Sequence, residues 1–106
     1  MTNNAIPKNM IGTTVYTNAN KLIHSGPCIV LAVHIAGDGA NGDCQVYDGL
    51  NNLGVLKAHL ETLSGTTFAW IPGVGTDFDN GIYIAVNAAT TKVTVTFIPE
   101  SRKSFV

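Results

Sequence analysis

The chain has 106 residues, a formal net charge of −1 and 12% charged residues, which is about half the usual share for a soluble domain. This length predicts a single domain and is too short for a dinucleotide-binding fold, which needs two βαβ halves. The charge provides no basic surface for nucleic-acid phosphates, so a nucleic-acid partner is not expected. The longest apolar run, residues 28–36, is about half as long as a membrane-spanning helix, so no membrane partner is expected either.

The two ends of the chain differ from its middle. Residues 1–12 are polar and contain the breakers Pro7 and Gly12, so an extended N-terminal arm without a signal peptide is predicted. A single β-sandwich domain is expected over residues 13–99, followed by a C-terminal tail over residues 100–106. Two readings of these ends stay open: they fray, or they contact neighbouring subunits. The candidate partner-binding residues are Asn3, Ile6, Lys8, Arg102, Lys103 and Phe105.

The middle of the chain reads as a series of strands. Short β-branched and aromatic runs recur about every ten residues between Gly, Asn, Asp and Pro, a spacing typical of sandwiches and barrels. The pattern predicts an all-β fold, an antiparallel sandwich of about seven or eight strands. The predicted strands are Thr13–Thr17, Cys28–Ala36, Cys44–Tyr47, Val55–Leu60, Thr66–Ile71, Ile82–Asn87 and Lys92–Ile98.

The second of these strands is followed by a glycine-rich loop. Residues 28–36 are apolar on both faces, which indicates a central strand with His34 in the core. The loop "GDGANG" matches the G-x-G-x-x-G fingerprint of dinucleotide binding, but a strand rather than a helix follows it. Asn41-Gly42 favours a hairpin turn instead, because both residues tolerate positive φ. Such a hairpin would hold Cys28 and Cys44 roughly 20 Å apart, so two buried thiols without a disulfide are predicted.

The later elements include one ambiguous segment and one clear pair. In "NLGVLKAHLETL", the leucine spacing fits a helix, but Gly54 and the nearby turn residues favour a strand. In "KVTVTFI", Val93, Val95 and Phe97 alternate with threonines, which predicts one buried and one wetter face. Only a short connection separates this strand from residues 82–87, so the two are predicted to pair as a hairpin.

No residue pattern in the chain predicts a catalytic, cofactor-binding or metal-binding site, and we expect a protein that is not an enzyme. A calcium site built from the loop lacks the required glutamate; its candidate ligands are Asp38, Asn41, Asp43 and Asp48. The patch "TDFDNG" reads as a turn with Phe78 packed inward, and the alternative is a surface cation at Asp77 and Asp79. Glu61 has no evident acidic partner for acid–base catalysis. The histidines lack the spacing of a metal or catalytic pair; they are His24, His34 and His59.

The aromatic side chains admit two interpretations. Phe68 and Trp70 share strand parity, which favours packing in the core or at an interface. Alternatively, together with Tyr47 and Tyr83, they could form a face that binds sugar.

The stretch from "GPCIVLAVHIAGDGANGDCQVYDG" to "FDNGIYIAVNAATTKVTVTFIPE" resembles small virion structural proteins of tailed bacteriophages. The resemblance covers residues 26–100 and lies in the succession of strand, turn glycine, strand and terminal proline. It implies a β-sandwich of jelly-roll type that acts as a capsid decoration or cement subunit. The expected partners are the major capsid protein or another virion protein, and further copies of the chain itself. The expected location is the virion, after synthesis in the host cytoplasm, where cysteines stay reduced. The alternative is a small tail-fibre or spike module that binds host surface glycan.

Overall fold

The computed structural model describes residues 12–88 and 91–99, which form nine strands and no helix. Within this part of the chain, no helix is therefore available to cross a membrane. The strands are β1 (Thr13–Thr17), β2 (Lys21–Ser25), β3 (Cys28–Gly37), β4 (Gly42–Asp48), β5 (Val55–Thr62), β6 (Thr67–Trp70), β7 (Thr76–Phe78), β8 (Gly81–Val86) and β9 (Thr91–Pro99). All seven predicted strands are confirmed, with bounds that move by at most two residues. The predicted arm, apart from Gly12, and the predicted tail lie outside the described residues, as do all six candidate partner-binding residues.

The strands form two antiparallel sheets that enclose one core. The first sheet has the order β1-β9-β3-β6, with β7 also paired to β3, and the second has the order β2-β8-β4-β5. The prediction of an all-β antiparallel fold is therefore confirmed. The core contains side chains from both sheets: Cys28, Val30, Val33, Ile35, Cys44, Val46, Leu60, Phe78, Ile82, Ile84, Val93, Val95 and Phe97.

Strand β9 has the alternation that its sequence predicts. Val93 and Val95 are fully buried and Phe97 nearly so, whereas Thr94 and Thr96 lie half-buried on the outer face. The inward packing of Phe78 is also confirmed, since this side chain has no exposed surface. Alternation with a period of two therefore identifies correctly which faces of these strands are buried.

Both predicted hairpins are wrong. β8 and β9 lie in different sheets, and so do β3 and β4. A short connection can lead across a sandwich to the opposite sheet as easily as back along the same sheet, and each apolar face is still buried. The turn at Asn41-Gly42 is also not the predicted one, because among the described residues only glycines have positive φ and Gly39 is the loop residue that adopts it, at 86°.

Two expectations for the central strand have different outcomes. His34 is exposed rather than part of the core, because it alternates with the buried Val33 and Ile35 and therefore points to the outer face of the first sheet. Cys28 and Cys44 are both buried and form no disulfide, as predicted, although they lie in different sheets rather than on one hairpin.

Candidate functional site

The outer face of the second sheet gathers side chains from three strands. Along β4, Cys44, Val46 and Asp48 are buried, so the alternate residues Asp43, Gln45 and Tyr47 face outward and are half-buried. The ladder places Asp43 opposite Glu61 and Gln45 opposite His59, both on β5. It also places Gln45 opposite Ala85 and Tyr47 opposite Tyr83, both on β8. Strand pairing therefore brings together residues that are far apart in the sequence.

One end of this face carries a polar cluster formed by Asp43, His59, Glu61 and Asn87. The imidazole Nε2 of His59 lies 2.7 Å from Oδ1 of Asp43 and 4.0 Å from Oε2 of Glu61. The side-chain amide of Asn87 donates a hydrogen bond of 3.2 Å to the same Oδ1. Two carboxylates and one imidazole thus face each other on a sheet surface that is open to solvent.

The backbone around Asp43 is fixed from two sides. Its N–H donates to Oγ1 of Thr91, a fully buried residue, at 2.9 Å. Its carbonyl accepts a bond of 2.9 Å from the N–H of Asn87. Since strand pairing also fixes the positions of His59 and Glu61, the polar cluster is held by backbone structure rather than by flexible loops.

The polar cluster has the donor chemistry of a metal site. One ligand atom each from Asp43, His59 and Glu61 lie within 4.8 Å of one another. A cavity of about 410 Å³ adjoins the polar cluster, with Asn41, Asp43 and Glu61 in its lining. Sequence spacing alone does not indicate this arrangement, because Asp43 comes from another strand. The useful signal is "HLE": on a strand, His59 and Glu61 are two residues apart and so share a face.

A second feature of the same face is an apolar row that runs across all four strands, which we call the Leu–Tyr row: Leu22, Tyr83, Tyr47 and Leu56. Each member is directly opposite the next in the ladder. Leu22 and Leu56, at the two ends, are 40% and 48% exposed. The tyrosines between them are half-buried, and the hydroxyl of Tyr47 donates to Oε1 of Gln45 at 3.0 Å. The row is a continuous strip of apolar and aromatic surface.

No protein-family model matches the chain, and no curated protein sequence matches it either. The resemblance to phage virion proteins therefore rests on the sequence pattern alone.

The predicted candidates for a calcium site are not brought together. The exposed carboxylate of Asp38 lies 2.8 Å from the ammonium group of Lys92. This hydrogen bond and the opposite charge lower the pKa of Asp38 and raise that of Lys92. The amide oxygen of Asn41 accepts a bond from the N–H of Ser64. Each of these groups thus has its own local partner.

Asp48 has a structural role at the opposite end of the sheet. It is only 4% exposed, and its two carboxylate oxygens accept hydrogen bonds from the N–H groups of Asp79 and Asn80 at 2.9 and 2.8 Å. The prediction that the patch "TDFDNG" is a turn is therefore only partly confirmed, because Thr76–Phe78 form strand β7 and only Asp79 and Asn80 turn the chain into β8. A carboxylate from strand β4 caps this turn.

The aromatic side chains do not form a common face. Trp70 lies on β6 in the first sheet and packs against the core, in agreement with its predicted role. Phe68 is on the same edge strand and is partly exposed. Tyr47 and Tyr83 lie on the outer face of the second sheet, so of the four predicted aromatic residues these two are neighbours on an open surface.

The thiol of Cys44 has low reactivity. Burial, together with the charge of the adjacent Asp43, raises its pKa to about 12. A thiol in this environment stays protonated at neutral pH and is a poor nucleophile.

Proposed function

We propose that the chain is a non-enzymatic structural protein of a tailed-phage virion, with a jelly-roll fold. In this proposal it is a decoration or cement subunit that binds the lattice of the major capsid protein and associates with further copies of itself.

The order of strand pairing supports the jelly-roll assignment. The pairs β1–β9, β2–β8, β3–β6 with β7, and β4–β5 are nested one inside the other along the chain. A jelly roll has this connectivity, because it corresponds to one long hairpin wrapped into two facing sheets of four strands. Viral capsid domains and lectin domains are among the proteins that use this architecture.

The observation that carries the functional proposal is the Leu–Tyr row. It places two exposed leucines and two tyrosines on one sheet face in a chain with only 12% charged residues. Contiguous apolar surface on a soluble domain marks a binding site for a protein, and tyrosine is enriched at such interfaces. A capsid lattice repeats its binding site many times, so a small contact on each subunit is sufficient for stable decoration.

The proposal can be tested by rebinding the protein to phage shells. Shells of a phage that encodes the chain are stripped of it and incubated with wild type, with the double variant Leu22→Lys/Leu56→Lys, or with Thr94→Lys. Thr94 lies on the outer face of the first sheet and is the matched control for a new surface charge. We expect wild type and Thr94→Lys to rebind and the double variant to lose binding by about tenfold or more, since two lysines would enter an apolar contact.

The possible results are distinguishable. If purified shells lack the chain, or if stripped shells do not take it up, the decoration role is wrong. If Thr94→Lys alone loses binding while its circular dichroism is unchanged, the contact is the first sheet and not the Leu–Tyr row. The mass of the protein in solution tests self-association separately.

Binding of host glycan is the second candidate, and the Tyr47–Tyr83 pair favours it. These rings are cross-strand neighbours beside the polar side chain of Gln45, an arrangement in which sugar rings can stack on aromatic faces. A glycan array is the direct measurement. Specific hits that disappear in a folded Tyr83→Ala variant would support recognition of glycan, and an array without hits would count against it.

A further inference from the structure

We propose that the polar cluster binds a divalent transition-metal ion of the zinc class, with the side chains of Asp43, His59 and Glu61 as its protein ligands. This site is separate from the Leu–Tyr row and does not depend on what the row binds.

The distances between the ligand atoms suit a shared ion. Zinc bonds to nitrogen and oxygen are about 2.0–2.2 Å long, so two ligands of one tetrahedral ion lie roughly 3.4 Å apart. The Nε2 of His59 lies 2.7 Å from Asp43 and 4.0 Å from Glu61, and all three ligand atoms lie within 4.8 Å of one another. The required separation lies between these two distances, so a bound ion would replace the hydrogen bond between His59 and Asp43. The side chain of Glu61 is 70% exposed and is free to turn towards His59.

The surroundings favour a built site over a chance meeting of surface charges. The register of β4 and β5 fixes the backbone positions of the three ligand residues, and the backbone of Asp43 is held by Thr91 and Asn87. The amide of Asn87 also donates to the Oδ1 of Asp43, which is the kind of outer contact that orients a carboxylate ligand. The adjoining cavity of about 410 Å³ leaves room for water or a partner's group at the remaining coordination position.

The donor set identifies the class of metal. Two carboxylates balance the charge of a divalent ion, and a neutral imidazole is a ligand that Zn²⁺, Ni²⁺ and Co²⁺ accept readily. Calcium and magnesium prefer sites made only of oxygen ligands. We therefore expect Zn²⁺ to bind and Ca²⁺ at the same concentration not to bind.

Calorimetric titration of the metal-free full chain with ZnCl₂ tests the proposal. Wild type is compared with Asp43→Asn, His59→Gln and Glu61→Gln, and with His34→Gln as the matched control. His34 is an exposed histidine on the other sheet, so its loss removes an imidazole without touching the polar cluster. We expect one ion per chain in wild type and in the control. Each of the three ligand variants should weaken zinc binding by about tenfold or more, since loss of a group that only contacts a metal ligand already lowers metal affinity by about 10- to 100-fold.

A second measurement separates ligation from a structural effect. Saturating Zn²⁺ should raise the thermal midpoint of wild type and of His34→Gln, because an ion that binds only the folded chain stabilises it. The midpoint of His59→Gln should rise less at the same Zn²⁺ concentration, because the ion binds this variant more weakly. X-ray absorption at the zinc edge should show nitrogen and oxygen ligands including one imidazole. Absence of binding at millimolar Zn²⁺, equal affinity in His59→Gln and wild type, or equal affinity for Ca²⁺ would each overturn the proposal.

Discussion

Replacing the buried Asp48 by alanine should destabilise the protein by about 2–4 kcal/mol. The carboxylate is 4% exposed and accepts two backbone hydrogen bonds, from Asp79 at 2.9 Å and from Asn80 at 2.8 Å. Each hydrogen bond to a charged group contributes about 1.5–3 kcal/mol, and a donor left without a partner costs about 1–3 kcal/mol. Two such bonds together contribute about 3–6 kcal/mol. We expect a smaller loss of about 2–4 kcal/mol, because Asp79 and Asn80 lie on an exposed turn where water can replace part of these bonds. For a domain with a total stability of about 5–15 kcal/mol this is a large fraction.

Asp48→Asn should lose less stability than Asp48→Ala. The amide keeps one oxygen acceptor but presents an NH₂ group to the second N–H, so about half of the loss is expected. Urea unfolding followed by circular dichroism measures both variants, with the slope of the transition checked for constancy. Hydrogen exchange at the amides of Asp79 and Asn80 should accelerate in step with the loss of stability.

Asp38→Asn is the matched control, because it removes an aspartate whose ion pair with Lys92 is exposed to solvent. Exposed ion pairs contribute little, so the urea midpoint should not change measurably. If the urea midpoint of Asp48→Ala equals that of wild type, or if the midpoint falls equally in Asp38→Asn and Asp48→Ala, the view that the buried carboxylate stabilises the turn is refuted.

Three further changes test the core, the buried thiol and the loop. Val95→Asp should abolish the folded state, as judged by near-ultraviolet circular dichroism, because it places an unpaired charge at a fully buried position. The pKa of Cys44 is raised from 9.0 to about 12, so the folded chain retains a proton that the unfolded chain loses near pH 9.0. The contribution of the protonated thiol to the free energy of unfolding is complete below that pH and should decline by about 1.4 kcal/mol per pH unit as the pH rises towards 12. The difference in urea midpoints between wild type and Cys44→Ala across this pH window measures the decline. Gly37→Ala should lower the thermal midpoint more than Gly39→Ala, because a Cβ at Gly37 would lie 2.5 Å from the carbonyl oxygen of Ala40 whereas Gly39 has open space and only a positive φ of 86°.

The positions of the strands follow from the sequence more readily than their pairing. Alternation in "KVTVTFI" gives both the extent of β9 and its buried face, because period two is a local property. The strands that the pattern misses are β2, whose ladder with β8 is irregular between Leu22 and His24, and β7, which has three residues. Pairing is decided by which apolar faces meet across the core, and that information is not present in any single segment.

The candidate site could not be predicted from the sequence, because it too depends on which strands pair. The polar cluster joins β4 and β5 with Asn87, and the Leu–Tyr row joins all four strands of the second sheet. A search for histidines at helical spacing cannot find such a site, because ligands on a strand recur at two residues and their partners come from the neighbouring strand. The exposure of His34 follows equally from alternation with Val33 and Ile35, although the strand as a whole is apolar.

A β-bulge at Lys57 makes both features of the outer face possible. The ladder pairs Val46 with Ala58 but Tyr47 with Leu56, so Lys57 is an extra residue on β5. Leu56 therefore faces outward in the Leu–Tyr row, while His59 and Glu61 beyond the bulge face outward as well. With regular alternation, a strand that points Leu56 outward would turn His59 and Glu61 towards the core, since a shift of one residue exchanges the two faces.

The same bulge accounts for the ambiguous pattern of "NLGVLKAHLETL". Its apolar positions do not keep a period of two, because Leu56 is 48% exposed on one face and Leu60 is buried on the other. Lys57 extends over the ring of Phe78, with its ammonium group 5.5 Å from the ring centre. A lysine at a bulge on an edge strand also discourages pairing with another chain through that edge. For this reason the outer face, and not the edge of β5, is the surface through which we expect the second sheet to bind.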